Sequence, residues 1–211
     1  MPKILSATVF LLVAFLVVPA AWAATGSTAK TPVAASDDHV LGDAKAPVTV
    51  IEYASLTCPH CAAFEQKNLP KIKKAWIDTG KVRLIYRDFP LDHYALEAAM
   101  IARCAPEDRY FQFIESFFDA QENWVTASDP LVALEGIARL GGMAPDALER
   151  CLADKRLEKS VIDTEMTAKN DYGVESTPTF FIIGPNGTTS LIGDQSYDDF
   201  GKALAAAMPK S

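Results

Sequence analysis

The chain has 211 residues, of which 49% are apolar and 22% charged, enough to bury the core of one sizeable domain. Lysine and arginine number 20 against 27 aspartate and glutamate, a formal net charge of −7 with no basic stripe along it. That balance excludes nucleic acid as an expected partner and indicates a dispersed acidic surface that favours solubility.

Lys3 precedes an almost wholly apolar run over 4–18, and Ala21-Trp22-Ala23 has the small-x-small form of a cleavage site. The pattern predicts a secretory signal peptide over 1–23, cleaved near Ala23, because the apolar run is too short for a retained anchor. No later stretch is apolar and long enough to span a bilayer. All four cysteines (Cys58, Cys61, Cys104 and Cys151) fall in the exported part, where disulfides are the default expectation. Residues 24–40, rich in Ala, Thr, Ser and Pro without a periodic apolar face, read as a flexible tether, with order beginning near Leu41.

Residues 48–54, V-T-V-I-E-Y-A, are β-branched and apolar on both faces, which suits a central strand covered on both sides. Cys58-Pro59-His60-Cys61 follows at once. Over 62–78, Phe64, Leu69, Ile72, Ala75 and Trp76 recur at helical spacing; Pro70 should kink this helix and Gly80 end it. Residues 82–88 read as a second strand. From 92 to 172 the pattern is helical, with pieces over 94–104, 106–120, 130–140, 145–153 and 156–171. Pro106, Pro130 and Pro145 stand at favoured first positions, and Asp129 and Ala144 at caps. His93 should cap or pack at the start of this block. The aromatic run Tyr110 to Phe118 has helical spacing and belongs mostly to a core, with some rings available to line a groove. A strand over 179–183, a hairpin signal at Pro185-Asn186-Gly187-Thr188, a partner strand over 189–192 and a closing helix over 197–208 complete the chain. The fold class is α/β: a four-stranded mixed sheet flanked by helices, formed by 41–91 and 173–211, with an all-helical insertion over 92–172.

Three chemistries compete for the C-x-x-C. A zinc site needs four ligands, and Cys104, Cys151, His39 and His93 supply no second ligand pair at a suitable spacing, so no metal is expected. An inert staple is poor, because so short a loop hardly constrains the unfolded chain. A reactive dithiol fits the position. Cys58 falls where a buried strand meets a helix, and the free N–H groups and partial positive charge of that helix start favour a thiolate. His60 adds a donor beside it. Cys61, one turn further on, should be the more buried sulfur, so Cys58 exchanges with substrates and Cys61 resolves the mixed disulfide. Stabilising the Cys58 thiolate makes the disulfide easier to reduce and the protein an oxidant.

Cys58-Pro59-His60-Cys61 after a strand, Thr177-Pro178 before another, and the helical insertion between them resemble the periplasmic thiol oxidases of the DsbA type, in the thioredoxin superfamily, over 41–208. The resemblance implies a thioredoxin fold, a periplasmic location, a cis-proline at Pro178 that exposes backbone to a substrate peptide, and a buried acid at Glu52 that exchanges a proton with Cys61. Burial in a doubly covered strand should raise that acid's pKa. It also implies a structural disulfide between Cys104 and Cys151, the alternative being a second redox pair that relays electrons to Cys58. Thr177 departs from the valine of the best-known oxidase and matches the isomerases of the superfamily, while 24–40 is too short for their dimerisation domain. The function implied is a thiol:disulfide oxidoreductase that introduces disulfides into reduced or unfolded exported proteins, as a monomer without cofactor, reoxidised by a DsbB-like quinone-linked membrane protein. The alternatives are a periplasmic reductase or isomerase and, in another class, a dithiol metal-binding or peptide-holding module.

Overall fold

The computed structural model describes residues 30–210; the signal peptide expected over 1–23 lies outside the described residues. Five strands form one mixed sheet: β1 (Val40–Leu41), β2 (Val48–Ala54), β3 (Val82–Asp88), β4 (Thr179–Gly184) and β5 (Gly187–Ile192), in the spatial order β1-β3-β2-β4-β5. At the centre, β2 runs parallel to β3, with Val48 opposite Val82 and Ala54 opposite Asp88, and antiparallel to β4, with Glu52 opposite Phe180. Every residue of β2 is buried, as its two-sided apolar pattern predicts. On one face Val48, Val50, Leu84, Phe180 and Ile182 pack against Phe64 of α1 (Pro59–Lys67) and against Phe200 and Leu204 of α9 (Tyr197–Ala207). On the other, Ile51, Tyr53, Ile85 and Phe181 meet Ala168 of α8 (Lys155–Tyr172). Gly184 lets α9 lie close, since a Cβ there would sit 2.2 Å from the carbonyl oxygen of Ala207.

The sheet has five strands, not four. The additional strand, β1, pairs antiparallel with β3 through only two residues, Val40 opposite Ile85 and Leu41 opposite Leu84. Two residues carry no periodicity, so nothing local marks them as a strand. The described part of the expected tether also lies against the domain. Arg87 of β3 is buried and needs acceptors; it donates to Asp38 at 2.8 and 2.9 Å, to the Val33 carbonyl at 2.7 Å and to the Tyr53 hydroxyl at 2.8 Å. Lys30 adds a backbone bond to the Asp171 carbonyl.

The helix expected over 62–78 starts earlier, at Pro59, and breaks at Asn68 into α1, α2 (Leu69–Ile72) and a π turn over Lys73–Ile77. Pro70 sits in the first turn of α2, so the interruption falls just before the proline, and the Asn68 side chain donates to the Gln195 carbonyl at 2.9 Å. The insertion comprises α3 (His93–Arg103), a 3-10 turn over Glu107–Arg109, α4 (Tyr110–Asp119), α5 (Gln121–Val125), α6 (Pro130–Leu140), α7 (Pro145–Ala153) and α8. Pro106 precedes the 3-10 turn, so α4 starts later than its proline suggested. The cap of α3 is Asp92, not His93, whose imidazole instead meets Glu97 one turn on. Asp129 caps α6 as expected, accepting from the Val132 amide. Tyr110, Phe113, Ile114, Phe117 and Phe118 of α4 are all buried and join one core with Leu56, Cys58, Cys61 and Ala62. Cys104, at the end of α3, is bonded to Cys151 of α7, with S–S 2.05 Å and Cα–Cα 6.1 Å.

Candidate active site

A buried strand ends at Ala54, three residues turn, and a helix begins at Pro59 with Cys58 as its extended flanking residue. The Cys58 amide donates to the Ser55 carbonyl at 3.0 Å, and its own carbonyl accepts from Ala62 at 3.2 Å, so the first helical turn closes beneath the sulfur. Both sulfurs are free thiols. Both are buried, but Cys58 is 5% exposed and Cys61 0%, so only the first keeps any contact with solvent.

The two sulfurs are driven in opposite directions. Hydrogen bonds from the Cys61 thiol, from the Thr177 side chain and from the amides of Cys61 and His60 outweigh partial burial and hold Cys58 down to about 5 from 9.0. As a thiol, Cys58 donates to the Thr177 carbonyl at 3.4 Å. The Thr177 hydroxyl is buried without a hydrogen-bond partner among the described residues, which leaves it free to donate to the sulfur once that is ionised. Burial, donation to Cys58 and the charge of Cys58 push the Cys61 thiol far up. The Pro59 and His60 side chains are exposed; it is the His60 amide, at the helix start, that favours the thiolate.

Glu52 is 0% exposed, and neither carboxyl oxygen has a partner among the described residues. Burial first, then the charges of Glu65 and Cys58, raise its pKa well above the carboxylate range, and its own charge in turn acts on Cys61. The Thr177–Pro178 peptide bond is cis, and both residues are buried beside Cys58. The structure thus brings together Cys58, Cys61, Glu52, Thr177 and Pro178 and leaves the His60 ring at the surface.

Three supporting residues escaped the sequence reading. Gln121, buried at the start of α5, donates to the carbonyls of Leu56 at 2.8 Å and Cys58 at 3.0 Å, clamping the active-site turn to the insertion. Thr57 donates to Asp92 at 2.6 Å, while the other Asp92 oxygen caps α3 by accepting from Ala95 at 2.9 Å. Asp92 before a helical pattern carries a cap signal that local reading can recover; Gln121 carries none.

Comparison with known proteins agrees with this geometry. The family described as thioredoxin matches residues 34–206. Proteins that carry the name protein-disulfide oxidoreductase are 36% identical over 151 residues in Rickettsia typhi and 34% identical over 174 residues in Rickettsia prowazekii, alignments covering 71% and 82% of this chain. The chain spans 56% and 62% of those relatives' own lengths. The crystal structure of Wolbachia pipientis α-DsbA1 is 34% identical, covers 83% of this chain and 92% of its own, and superposes with a TM-score of 0.76. Oxidised BdbD from Bacillus subtilis, 24% identical with a TM-score of 0.69, covers 80% of this chain and 91% of its own and shares the fold. The family match over residues 34–206 and the likeness to α-DsbA1 place the chain in the thioredoxin family, among its DsbA-type members.

Proposed function

We propose that the protein is a thiol:disulfide oxidoreductase working as an oxidase, which introduces disulfides into exported proteins through Cys58 and Cys61. The observation that carries this reading is the asymmetry of the two sulfurs: one slightly exposed and favoured as a thiolate, the other sealed and held as a thiol. A substrate thiolate attacks Cys58 of the oxidised pair, Cys61 leaves, and a mixed disulfide forms. A second substrate thiolate then displaces Cys58, whose stabilised thiolate departs readily. A fall from 9.0 to about 5 favours the Cys58 thiolate by on the order of 4 kcal/mol once solvent screening is allowed for. That preference stabilises the reduced protein and drives electrons toward it. Cys58 and Cys61 are the redox pair, Glu52 the proton partner of Cys61, and Thr177 and Pro178 the backbone against which a substrate segment lies; His60 contributes through its amide.

The setting proposed is the periplasm, reached through the signal peptide, with the chain acting as a monomer without cofactor and reoxidised by a quinone-linked membrane protein of the DsbB kind. Cys104 and Cys151 act structurally in this reading. Cys58→Ala should abolish oxidation of a reduced test protein, and full activity in that variant would remove the role. Thr177 favours one second reading, a reductase or isomerase, because its hydroxyl is placed to tune the sulfur. A strongly reducing potential for the Cys58–Cys61 couple would select that reading over the oxidase.

A further inference from the structure

Behind Cys61 lies a file of buried polar atoms of which the redox chemistry described so far uses only Glu52. Both carboxyl oxygens of Glu52, the hydroxyls of Tyr86 and Tyr110, and one carboxyl oxygen of Asp88 are buried without a partner among the described residues. They are neighbours. Glu52 and Tyr86 stand opposite each other on β2 and β3, so their side chains share a sheet face, and Asp88 follows two positions on along that face. The Tyr86 and Tyr110 rings lie 6.4 Å apart, and Tyr110 stacks on His39 at 3.7 Å. The second oxygen of Asp88 accepts from Arg103 at 2.5 Å. His39, Arg103 and Tyr86 itself line a cleft of about 490 Å³ that opens beside β3. An unpartnered buried polar group costs on the order of 1–3 kcal/mol, and native proteins satisfy such groups with one another or with bridging water. Four such groups clustered between the dithiol and a cleft are placed to be joined by bridging water.

Cys61 is fully buried, and its front is closed by Cys58 and by any substrate docked at Thr177 and Pro178. The cis-proline lies on the β4 flank of β2, whereas the cleft lies on the β3 flank. We propose that Tyr86 and Tyr110, with Asp88, relay protons between Glu52 and this cleft, so that Cys61 exchanges its proton while substrate covers the active-site face. The proposal rests on the dithiol reading above and adds the route by which that chemistry balances. When a substrate thiolate attacks Cys58, the Cys58–Cys61 bond breaks, and Cys61 leaves with the electron pair. It takes a proton from Glu52, and Glu52 regains one through the tyrosine hydroxyls, each giving one proton and receiving one, from water in the cleft. The two electrons come from the substrate thiols. In the reverse direction Cys61 gives its proton to Glu52 and attacks the sulfur of Cys58 in a mixed disulfide; the substrate sulfur leaves as a thiolate, and the proton departs by the same file.

The reverse step supplies the test. A mixed disulfide of glutathione with Cys58 is prepared at acid pH, and glutathione release is followed after a jump to pH 7, in light and heavy water. Tyr86→Phe and Tyr110→Phe each delete one hydroxyl and keep the ring. Tyr86→Phe, and to a lesser degree Tyr110→Phe, should slow release by roughly tenfold or more with a changed solvent isotope effect. The thiolate absorbance titration of Cys58 should not move, which distinguishes lost relay from disturbed packing. Tyr172→Phe, also on the cleft wall, should behave as the unaltered chain. Release at the unaltered rate and isotope effect in both variants would overturn the relay alone; failure of the unaltered chain to release glutathione would overturn the dithiol reading and the relay with it.

Discussion

Cys58 and Cys61 stand three positions apart in one helical turn, and their difference in acidity follows from what each sulfur meets. Cys58 receives donors from a helix start and from Thr177, whereas Cys61 is itself a donor in a dry core. Linkage turns this into a prediction about the reduced protein. Folding lowers the Cys58 pKa from 9.0 to about 5, so its contribution to stability is full above the unfolded value and is lost as pH falls through the folded one. The reduced form should therefore gain on the oxidised form by about 1.4 kcal/mol per pH unit between 5 and 9, and by nothing below 5. Glu52, whose pKa is raised, contributes stability below the ordinary carboxylate range that is lost as pH rises. It does so in both redox forms, and the comparison largely cancels it. Denaturation curves of the two forms across this range check the prediction; a difference that stays flat with pH would contradict a depressed Cys58.

The turn holding Cys58 is positioned by elements distant along the chain, and Asp92 links two of them. One of its oxygens caps α3 and the other accepts from Thr57 beside the active-site cysteine. Asp92→Ala should cost about 1 kcal/mol through the cap alone and loosen the turn, whereas Asp92→Asn should restore most of the stability, both read from denaturation midpoints. The same scale shows which elements a local pattern can reveal. β2, α6 and α7 occupy the ranges that apolar periodicity and first-position prolines predict, because those signals lie within the element. β1, the course of the chain before it, and α5 were missed. β1 and that approach are held from outside by Arg87 and the edge of β3, while Gln121 is fixed by carbonyls of the active-site turn.

At the scale of the molecule, the insertion packs its core against the dithiol, and the Cys104–Cys151 bond ties the end of α3 to α7. The bonded cysteines are separated by 47 positions, and loop-closure entropy assigns about 4 kcal/mol to a cross-link of that span. Replacing both with alanine should lower the unfolding free energy by that order while leaving the Cys58–Cys61 potential in place. A shift in that potential would instead favour an electron relay between the two pairs. The sequence by itself determined the reactive unit: two cysteines at a strand-to-helix junction, an acid within a strand apolar on both faces, and a helical block between the two halves of a sheet. The first two are legible because each is written within about ten consecutive residues, and the block because each of its helices carries its own periodicity. Tertiary structure alone decided that the Thr177 carbonyl meets Cys58 across 119 positions, that Gln121 holds the turn, and that Glu52 faces Tyr86. Those contacts depend on strand register and helix docking, which sum many weak interactions over the whole chain and leave no mark in any short stretch of it.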